Sequence, residues 1–287
     1  MMKTLRLKYS VPTMSRMLDV SASGYYGWQD RPLSRHDQEE MRLEVEIKAA
    51  HKRTKQLYGP ERLQHDLAEH GIKVGICRIK RIRIKLGIRC KQKRKFKATT
   101  YSKHGLPVAE NLLGGQFQVA EPNQVWLSDI TYIPTDEGWL YLAGHKDLFT
   151  HEVVGYAMGE RMTNNLISES LFRAVEAKRP SRGLIHHSDR GSQYCSSQYC
   201  HLLKQFAMKT SMSGKGNCFD NAPMESFWGI LKQELIYHYH FRTRQEARQA
   251  ISQYIQIFYN RQRLQAKLGF LSPAAYIQKY WAGLLAS

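Results

Sequence analysis

Three carboxylates occupy positions where an acidic side chain is unusual. Asp129 lies within the apolar segment "VWLSDITYI", Asp189 ends the apolar segment "GLIHHSD", and Glu225 begins a predicted helix after a glycine-rich stretch. An isolated carboxylate among apolar residues is costly to keep charged, so these positions indicate a metal ion or another charge nearby. For Asp189 alone, a strand that ends at a polar turn is the simpler interpretation. Taken together, the three predict a Mg²⁺ site, because Mg²⁺ is commonly held by a few carboxylates and the phosphate oxygens of a substrate.

The charge of the chain also indicates a polyanionic partner. Among 287 residues, 43 are Lys or Arg and 25 are Asp or Glu, which gives a net charge of +18. Both nucleic acid and an acidic membrane surface fit this excess. Residues 1–104 hold most of it, and within residues 78–97 eleven of twenty side chains are basic and none is acidic. This stretch predicts contacts along a phosphate backbone, with a basic linker as the alternative.

Several other classes of protein are excluded or disfavoured by the sequence. No apolar segment approaches the roughly 20 residues of a membrane span, and the N-terminus lacks the apolar segment of a signal peptide. The five cysteines are scattered without C-x-x-C spacing, which is typical of a reducing compartment. Cys195, Cys200 and His201, with His186 and His187 nearby, match no common zinc module in their spacing. The segment "SGKGNCFDNAP" lacks the spacing of a nucleotide-binding P-loop.

The elements that must position these residues fall into two groups. In the first third, "TMSRMLDVSASGYYGW" predicts two short helices, the second capped by Ser21 or Ser23. Apolar spacing and the turn residues Pro60, Gly71 and Gly87 predict further helices. These helices are expected over residues 37–57, 60–71 and 76–86. Short helices joined by tight turns predict a small module of helix-turn-helix type.

The rest of the chain alternates strands with helices. The segments "QVWLSDITYIPT", "WLYLAGHKDLFT" and "HEVVGYAMGE" predict a three-stranded antiparallel meander, in which we expect Trp126, Tyr132 and Trp139 to lie in the core. A helix over 164–177, the strand "GLIHHSD", a helix over 197–206 and a short apolar segment at 207–210 follow. The chain is predicted to be helical again from residue 224, and Thr243 with Glu246 predicts a capping box. This alternation predicts an α/β layer domain.

Three segments carry a family resemblance: "SDITYI", "HSDRGSQY" and "GNCFDNAPMESFWGILKQE", with 35 residues between Asp189 and Glu225. Together they resemble the DDE transposases and retroviral integrases. In particular, the chain resembles the catalytic OrfB subunit of the bacterial insertion-sequence family that is encoded in two overlapping reading frames. The resemblance extends to "YGPERL" in the helical module and to "YNRQRLQAKLGFLSPAAY" near the end.

This resemblance implies a fold, an activity and a cofactor. The fold is α/β, an RNase H-like integrase catalytic core with a mixed five-stranded sheet and flanking helices, preceded by a small helix-turn-helix-type domain. Asp129, Asp189 and Glu225 are implied to be catalytic and to bind two divalent ions, Mg²⁺ or Mn²⁺, in each active site. The implied activity is cleavage of DNA at the element ends and joining of the 3′-hydroxyl to target DNA.

Several residues are expected to contact DNA. Lys232 lies seven residues after Glu225 on the same helix face, where the family carries a basic residue that contacts DNA near the active site. Lys215 lies between two glycines, so we expect it to approach a phosphate closely and to help order the loop 211–220, and with it Glu225, on DNA. The residues of the basic stretch that are expected to contact phosphates are Arg78, Lys80, Arg81, Arg83, Lys85, Lys91, Lys93, Arg94 and Lys95.

The resemblance also divides the chain and indicates its partners. The expected segments are a helix-turn-helix-like segment (1–36), a basic helical DNA-binding module (37–100), a linker (101–118), the catalytic core (119–240) and a C-terminal helical extension (241–287). Expected partners are double-stranded DNA of the element's terminal repeats and of the target, further copies of the chain on DNA, and an upstream OrfA protein or fusion. The expected location is the bacterial cytoplasm, at the nucleoid, without a membrane.

Alternatives remain open at this stage. A DNA-binding regulator derived from such an enzyme would lack one of the carboxylates, whereas a metal-dependent nuclease would keep all three and fail to transfer strands. Asn221 is expected to order the loop or cap the Glu225 helix, Asp220 is a competing carboxylate, and His187 is expected at most to support Asp189. Gln265 departs from the family pattern, which usually has a histidine there.

Overall fold

The computed structural model describes residues 2–91, 108–214 and 218–286. The chain forms two compact units, Met1–Arg89 and Cys90–Ser287, which are described separately below. Of the residues predicted to contact DNA, Lys93, Arg94, Lys95 and Lys215 lie outside the described residues. No described helix is both long enough and apolar enough to cross a bilayer.

The first unit opens with three short helices, and serine caps set the starts of the second and third. They are α1 (Met2–Leu5), α2 (Val11–Met17) and α3 (Ala22–Gln29). Ser21 is the N-cap of α3, and its Oγ accepts a hydrogen bond from the backbone N–H of Gly24 at 2.9 Å. Val11, Met14 and Tyr25 are buried together between α2 and α3. The predicted pair of short helices and one of its two predicted caps are therefore confirmed.

Three longer helices follow, and their apolar faces form the core of this unit. They are α4 (Arg35–Arg53), α5 (Pro60–Glu69) and α6 (Ile76–Lys85). Their largest fully buried side chains are Ile47, Leu63, Leu67, Ile79 and Ile82. Helix α4 ends four residues earlier than predicted, because Lys55 and Gln56 adopt positive φ angles of 55° and 65° that end the helix.

The second unit is built on one mixed sheet, as predicted. Its strands are β1 (Val125–Thr135), β2 (Gly138–Asp147), β3 (Val153–Gly159), β4 (Ile185–Ser188) and β5 (Lys209–Met212). The order is β3-β2-β1-β4-β5, with β1 antiparallel to β2, β2 antiparallel to β3, and β4 parallel to both β1 and β5. The predicted antiparallel meander is confirmed, and Gly138 supplies the positive φ of 101° at its first turn.

Helices cover both faces of this sheet and extend past it. They are α7 (Asn164–Lys178), α8 (Ser197–Gln205), α9 (Ala222–Glu234), α10 (Arg244–Gln253) and α11 (Pro273–Leu285), with a π-helical segment at Tyr254–Tyr259 after α10. The described part of the predicted linker, 108–118, packs near β5, where the backbone N–H of Leu112 donates to Ser211 Oγ at 2.9 Å. After the π-helical segment, the Asn260 amide donates to the carbonyl of Val153 and accepts from its N–H, both at 3.0 Å. This side chain caps the exposed edge of β3.

Gly155 on β3 allows α7 to lie directly against the sheet. A Cβ atom on Gly155 would lie 2.5 Å from the backbone N and 2.6 Å from the Cβ of Ala174. We expect Gly155→Ala to lower the free energy of unfolding by roughly 1–3 kcal/mol, because the backbones must separate. The control Gly229→Ala lies in α9 with no atom within 4 Å of the added methyl, and it should be neutral or stabilising by roughly 0.5–1 kcal/mol. Equal effects of both variants in denaturant titrations would contradict this close packing.

Candidate active site

Asp129 and Asp189 lie at the same edge of two neighbouring strands. The parallel pairing of β1 with β4 ends at Ser128 opposite Ser188, so each aspartate is the next residue after the last pair. β1 continues beyond this point without β4 beside it, which leaves the edge next to Asp129 open. The sheet therefore brings two carboxylates together that are 60 positions apart in the sequence.

The turn after β4 holds Asp189 in a defined orientation. Its Oδ1 accepts a hydrogen bond from the backbone N–H of Gly191 at 2.9 Å, and a Cβ on Gly191 would lie 3.0 Å from the same oxygen. The Nε of Arg190 donates to the carbonyl of Ser213 at 2.6 Å, which joins this turn to the end of β5. The segment "SDRG" therefore forms a turn that presents the Asp189 carboxylate and is stabilised by the hydrogen bond of the Arg190 guanidinium.

Glu225 lies in the first turn of α9, and two side chains fix the start of that helix. Asn221 is the N-cap residue, and its Nδ2 donates to the backbone carbonyl of Ser128 at 3.1 Å. Lys146 Nζ donates to the carbonyl of Pro223 at 3.0 Å, and burial lowers the pKa of Lys146 to about 7. Asn221 makes no side-chain cap of α9, but it connects the beginning of this helix to the residue before Asp129.

Trp228 contacts Asp129 directly, which sequence reasoning missed. Its Nε1 donates to Asp129 Oδ2 at 3.1 Å, while the backbone N–H of Ile130 donates to Oδ1 at 2.8 Å. Gly144 lies opposite Asp129 in the β1–β2 pairing, and a Cβ there would lie 3.0 Å from the Trp228 ring and 3.1 Å from the methyl of Met224. The signal in the sequence was the position of Trp228, one helical turn after Glu225.

The three carboxylates are electrostatically coupled. Burial and the neighbouring charge of Asp189 raise the pKa of Asp129 to about 8, and Glu225 contributes in the same direction. Burial and Asp189 also raise the pKa of Glu225. Mutual repulsion between neighbouring carboxylates is the condition that a divalent cation relieves. An all-oxygen donor set of this kind suits Mg²⁺ or Mn²⁺ rather than zinc.

Among the residues that the structure describes, no three His, Cys, Asp or Glu side chains converge closely enough to hold a metal ion together. This finding covers the cysteines and histidines that were considered as zinc ligands, Cys195, Cys200 and His201. Mg²⁺ usually takes one or two protein carboxylates, with water and substrate phosphate oxygens as its other ligands. Asp129, Asp189 and Glu225 fit such a site, because an ion that takes one or two carboxylates does not need all three side chains as ligands.

The repulsion at Asp129 predicts a pH-dependent stability difference. A carboxyl with a folded pKa near 8, above its unfolded value of 3.8, stabilises the fold at low pH and loses that contribution as the pH rises through 8. In buffer without divalent ions, Asp129→Asn should therefore melt at a higher temperature than the parent protein at pH 9 and at a similar temperature at pH 4. Added Mg²⁺ should narrow the difference at pH 9. A difference in melting temperature that is the same at pH 4 and pH 9 would contradict the repulsion at Asp129.

Asp220 anchors the loop before α9. This buried carboxylate accepts hydrogen bonds from Asn111 Nδ2 at 2.9 Å and from the backbone N–H of Gly214 at 2.6 Å. Asn111 comes from the segment before β1, so the contact spans 109 positions in the sequence. These bonds give Asp220 a structural role in holding the loop, which is distinct from its predicted role as a competing carboxylate.

His186 and His187 are both buried in the sheet. His187 contacts Ser211 Oγ through Nδ1 at 2.8 Å, and burial lowers its pKa to about 4. The Nε2 of His186 lies 3.1 Å from Nε2 of His145 and 3.0 Å from the Tyr199 hydroxyl. Burial lowers the pKa of both His145 and His186, so both rings are neutral at pH 7. His186 and His187 belong to the interior of the sheet, as strand residues rather than catalysts.

Two predicted core residues are on the surface instead. Trp126 is fully buried, but Tyr132 is 37% and Trp139 is 49% exposed. The prediction was wrong for these two, because alternation along a strand does not reveal that β4 ends beside residue 128.

Lys232, predicted to contact DNA, is half-buried, and its Nζ lies 5.1 Å from the centre of the Tyr132 ring. Burial lowers the pKa of Lys232, and the charge of Asp129 acts in the opposite direction.

In the first unit, some of the predicted DNA-contacting residues on α6 bind acidic residues of α4. The salt bridges join Arg78 to Glu39 at 3.1 Å, Arg81 to Glu40 at 2.5 Å, and Lys85 to Glu44 at 2.6 Å. Their positive charges are thus partly balanced within the unit. Lys80 is exposed and Arg83 is half-buried, while Lys91, at the start of the second unit, is exposed.

Comparison with protein families agrees with this architecture. Residues 119–218 match the family "Integrase core domain", and residues 225–280 match a second family of the same description. Residues 36–96 match the "HTH-like domain" family. The first match covers Asp129 and Asp189, and the second begins at Glu225. An integrase core implies the use of a divalent metal ion, and a helix-turn-helix-like domain implies DNA binding.

Relatives similar over nearly the whole chain are insertion-sequence proteins. The "Insertion element IS600 uncharacterized 31 kDa protein" of Shigella sonnei is 57% identical, over 93% of this chain and 98% of that protein. "Transposase InsF for insertion sequence IS3A" of Escherichia coli (strain K12) is 41% identical, over 95% of each. The solved catalytic core domain of BIV integrase aligns at 14% identity with a TM-score of 0.43, over 56% of this chain and 99% of that one. Because it is 57% and 41% identical to these two insertion-sequence proteins over nearly their full length, the chain belongs to the insertion-sequence transposases of the DDE type, enzymes that transfer polynucleotide ends.

Proposed function

We propose that Asp129, Asp189 and Glu225 are the catalytic residues of this transposase and hold two divalent ions, Mg²⁺ or Mn²⁺. The observation that carries the proposal is that Asp129 and Asp189 follow the last paired residues of β1 and β4 at one edge of the sheet, and that Glu225 of α9 is near enough to repel Asp129. The reaction is cleavage of DNA at the element ends, followed by attack of the freed 3′-hydroxyl on target DNA. Both are phosphoryl transfers, and neither requires a covalent link to the enzyme.

The protein side chains do most of the positioning in this reaction. When bound, the two ions would supply Lewis-acid chemistry, activating the attacking hydroxyl or water and stabilising charge on the leaving 3′ oxygen. Trp228 keeps one Asp129 oxygen oriented by hydrogen bonding, and the Gly191 N–H does the same for Asp189. Lys232, next to Asp129, contacts a DNA phosphate near the scissile bond. The rigid sheet fixes the two aspartates, and Asn221 fixes the start of the Glu225 helix.

A strand-transfer assay tests the proposed reaction. The purified chain is mixed with a labelled element end that already carries a free 3′-hydroxyl, with a plasmid target, and with Mg²⁺ or Mn²⁺. We expect joined products that depend on the divalent ion and are lost when the end carries a 3′-dideoxy nucleotide. Hydrolysis of the end without any joined product would instead support a nuclease, and would contradict the proposal.

Lys80 on α6 is proposed to contact a DNA phosphate. It is exposed, and none of the salt bridges described between α4 and α6 involves it. Lys80→Gln should reduce the slope of log binding constant against log salt by about 0.9, as expected for one lost phosphate contact. The control Lys209→Gln lies at the start of β5, at the end of the sheet opposite to Asp189, and should leave the slope unchanged. An unchanged slope in Lys80→Gln would remove α6 from the DNA interface.

We further propose that several copies of the chain act together on DNA, because an element has two ends that must be joined to one target. Double-stranded DNA of the terminal repeats and of the target is the proposed substrate. An OrfA protein is the proposed additional partner, and it would contribute to recognition of the ends. Sedimentation of the chain with one-end and two-end DNA measures the number of copies directly.

A further inference from the structure

An exposed aromatic pair lies on the β1–β2 hairpin of the second unit. The rings of Tyr132 and Trp139 meet edge to face, with their centres 4.9 Å apart and an angle of 82° between their planes. Half of Trp139 and more than a third of Tyr132 are in contact with solvent. Leaving this much aromatic surface in water is unfavourable, and an aromatic face of this kind suits a flat, apolar ligand.

This pair is linked to the candidate active site through Lys232 of α9. Tyr132 lies three residues after Asp129 on β1, on the part of the strand that extends past the end of β4. The ammonium of Lys232 lies 5.1 Å from the centre of the Tyr132 ring. Lys232 is one helical turn after Trp228, whose indole N–H binds Asp129. Lys232 therefore links the part of α9 that contacts Asp129 to the ring of Tyr132.

The acidic side chains near the hairpin tip make hydrogen bonds with residues around the start of α10. Asp136 lies 3.0 Å from Nε2 of His240, and Glu137 accepts a hydrogen bond from the backbone N–H of Arg244 at 2.7 Å. The guanidinium of Arg244 also lies 3.4 Å from Glu160. The guanidinium of Arg244 therefore partly offsets the charge of Glu160 at this end of the hairpin. Two cations lie next to the aromatic pair: Lys232 at the Tyr132 ring, and Arg244, whose Nε donates to the carbonyl of Trp139 at 3.2 Å.

We propose that Tyr132 and Trp139 form a stacking surface for an unpaired nucleobase that flanks the scissile phosphate, with Lys232 on the adjoining phosphate. This inference rests on the proposed function, which places the scissile phosphate at Asp129. Aromatic side chains bind bases of any sequence, because every base has a π face, and a nearby cation follows the backbone. A protein partner would also cover the pair, but the polyanion that reaches the carboxylates is the ligand for which Lys232 is suited.

A fluorescent base in the element end tests the stacking. We would place 2-aminopurine, whose emission falls on stacking, at each position flanking the scissile phosphate and measure its emission on binding. Calcium, or another ion that does not support cleavage, would keep the DNA intact. The parent protein should quench the probe at one position, and Trp139→Ala and Tyr132→Ala should restore the emission. The conservative variant Trp139→Phe should retain quenching. The matched control Trp281→Ala removes another half-exposed tryptophan of the same unit and should leave quenching unchanged.

An abasic nucleotide provides the second measurement. Trp139→Ala should weaken binding of an end with the base present by roughly five- to a hundredfold, and should have no effect when that base is absent. Equal losses on both DNAs, or quenching that survives in both alanine variants, would overturn the stacking surface. The parent protein's cleavage of the same DNA in Mg²⁺ reports separately on the proposed function. Cleavage without quenching refutes the stacking alone, whereas quenching without cleavage supports the stacking and refutes the proposed function.

Discussion

Asp189→Asn should abolish both end cleavage and strand transfer, with rates reduced at least roughly a thousandfold. The substitution keeps the size of the side chain but removes a charge from the proposed metal site, and ions at such sites supply several kcal/mol of transition-state stabilisation. Asp129→Asn and Glu225→Gln should have effects of the same size. DNA binding should stay within a few-fold in each variant, because the phosphate contacts on other elements remain. Rates from a cleavage assay and affinities from a gel-shift titration measure the two effects separately.

The control for this series is Glu176→Gln, which neutralises an exposed carboxylate on α7. It should leave both reactions at the rate of the parent protein. Activity within tenfold of the parent in any one of the three active-site variants would remove that residue from the catalytic set. Loss of DNA binding in parallel with activity would indicate a folding defect, and melting temperatures distinguish that case.

Arg263→Met should have the largest effect on stability, a loss of roughly 3–5 kcal/mol in the free energy of unfolding. Only 5% of the Arg263 side chain and 12% of the Glu234 side chain are exposed. Arg263 Nε donates to Glu234 Oε2 at 2.9 Å and Nη2 donates to Oε1 at 2.7 Å, while the Tyr254 hydroxyl donates to Oε2 at 2.6 Å. Removing the guanidinium leaves a buried carboxylate without its counter-charge at the junction of α9 with the C-terminal helices.

Two further variants isolate the cause of that loss. Arg261→Met changes an exposed arginine two residues earlier and should alter the free energy of unfolding by less than about 0.5 kcal/mol. The double variant with Glu234→Met and Arg263→Met should recover part of the lost stability, because no uncompensated charge remains. If Arg261→Met and Arg263→Met have equal denaturation midpoints, the ion pair between Arg263 and Glu234 does not stabilise the fold.

The strands along the sequence and the antiparallel meander could be predicted because their signals are local, and the three candidate carboxylates could be named from their segments. β-branched and aromatic residues identify the strands, and the segments around Asp129, Asp189 and Glu225 are long enough to carry a family resemblance. The helix boundaries of α6 and α7 also follow from apolar spacing and turn residues. For these features, a segment of ten to twenty residues contains the residue types and spacing from which the structure can be predicted.

The missed features depend on contacts that are distant in sequence. The bond from Trp228 to Asp129 spans 99 positions, and the one from Asn111 to Asp220 spans 109. The salt bridges from α6 to α4 join residues about 40 positions apart, so a stretch that looks uniformly basic is partly neutralised. The exposure of Tyr132 depends on where β4 ends, which the alternation of β1 does not contain.

The most direct test of the account is a crystal structure of the chain with element-end DNA and Mn²⁺, with data collected at the manganese absorption edge. Anomalous scattering identifies manganese and counts the ions. We expect two anomalous peaks at the edge between β1 and β4, ligated by Asp129, Asp189 and Glu225 and by the scissile phosphate. A single peak would contradict the two-ion site. Peaks ligated by Asp220 instead of the three carboxylates would contradict the assignment of the active site itself.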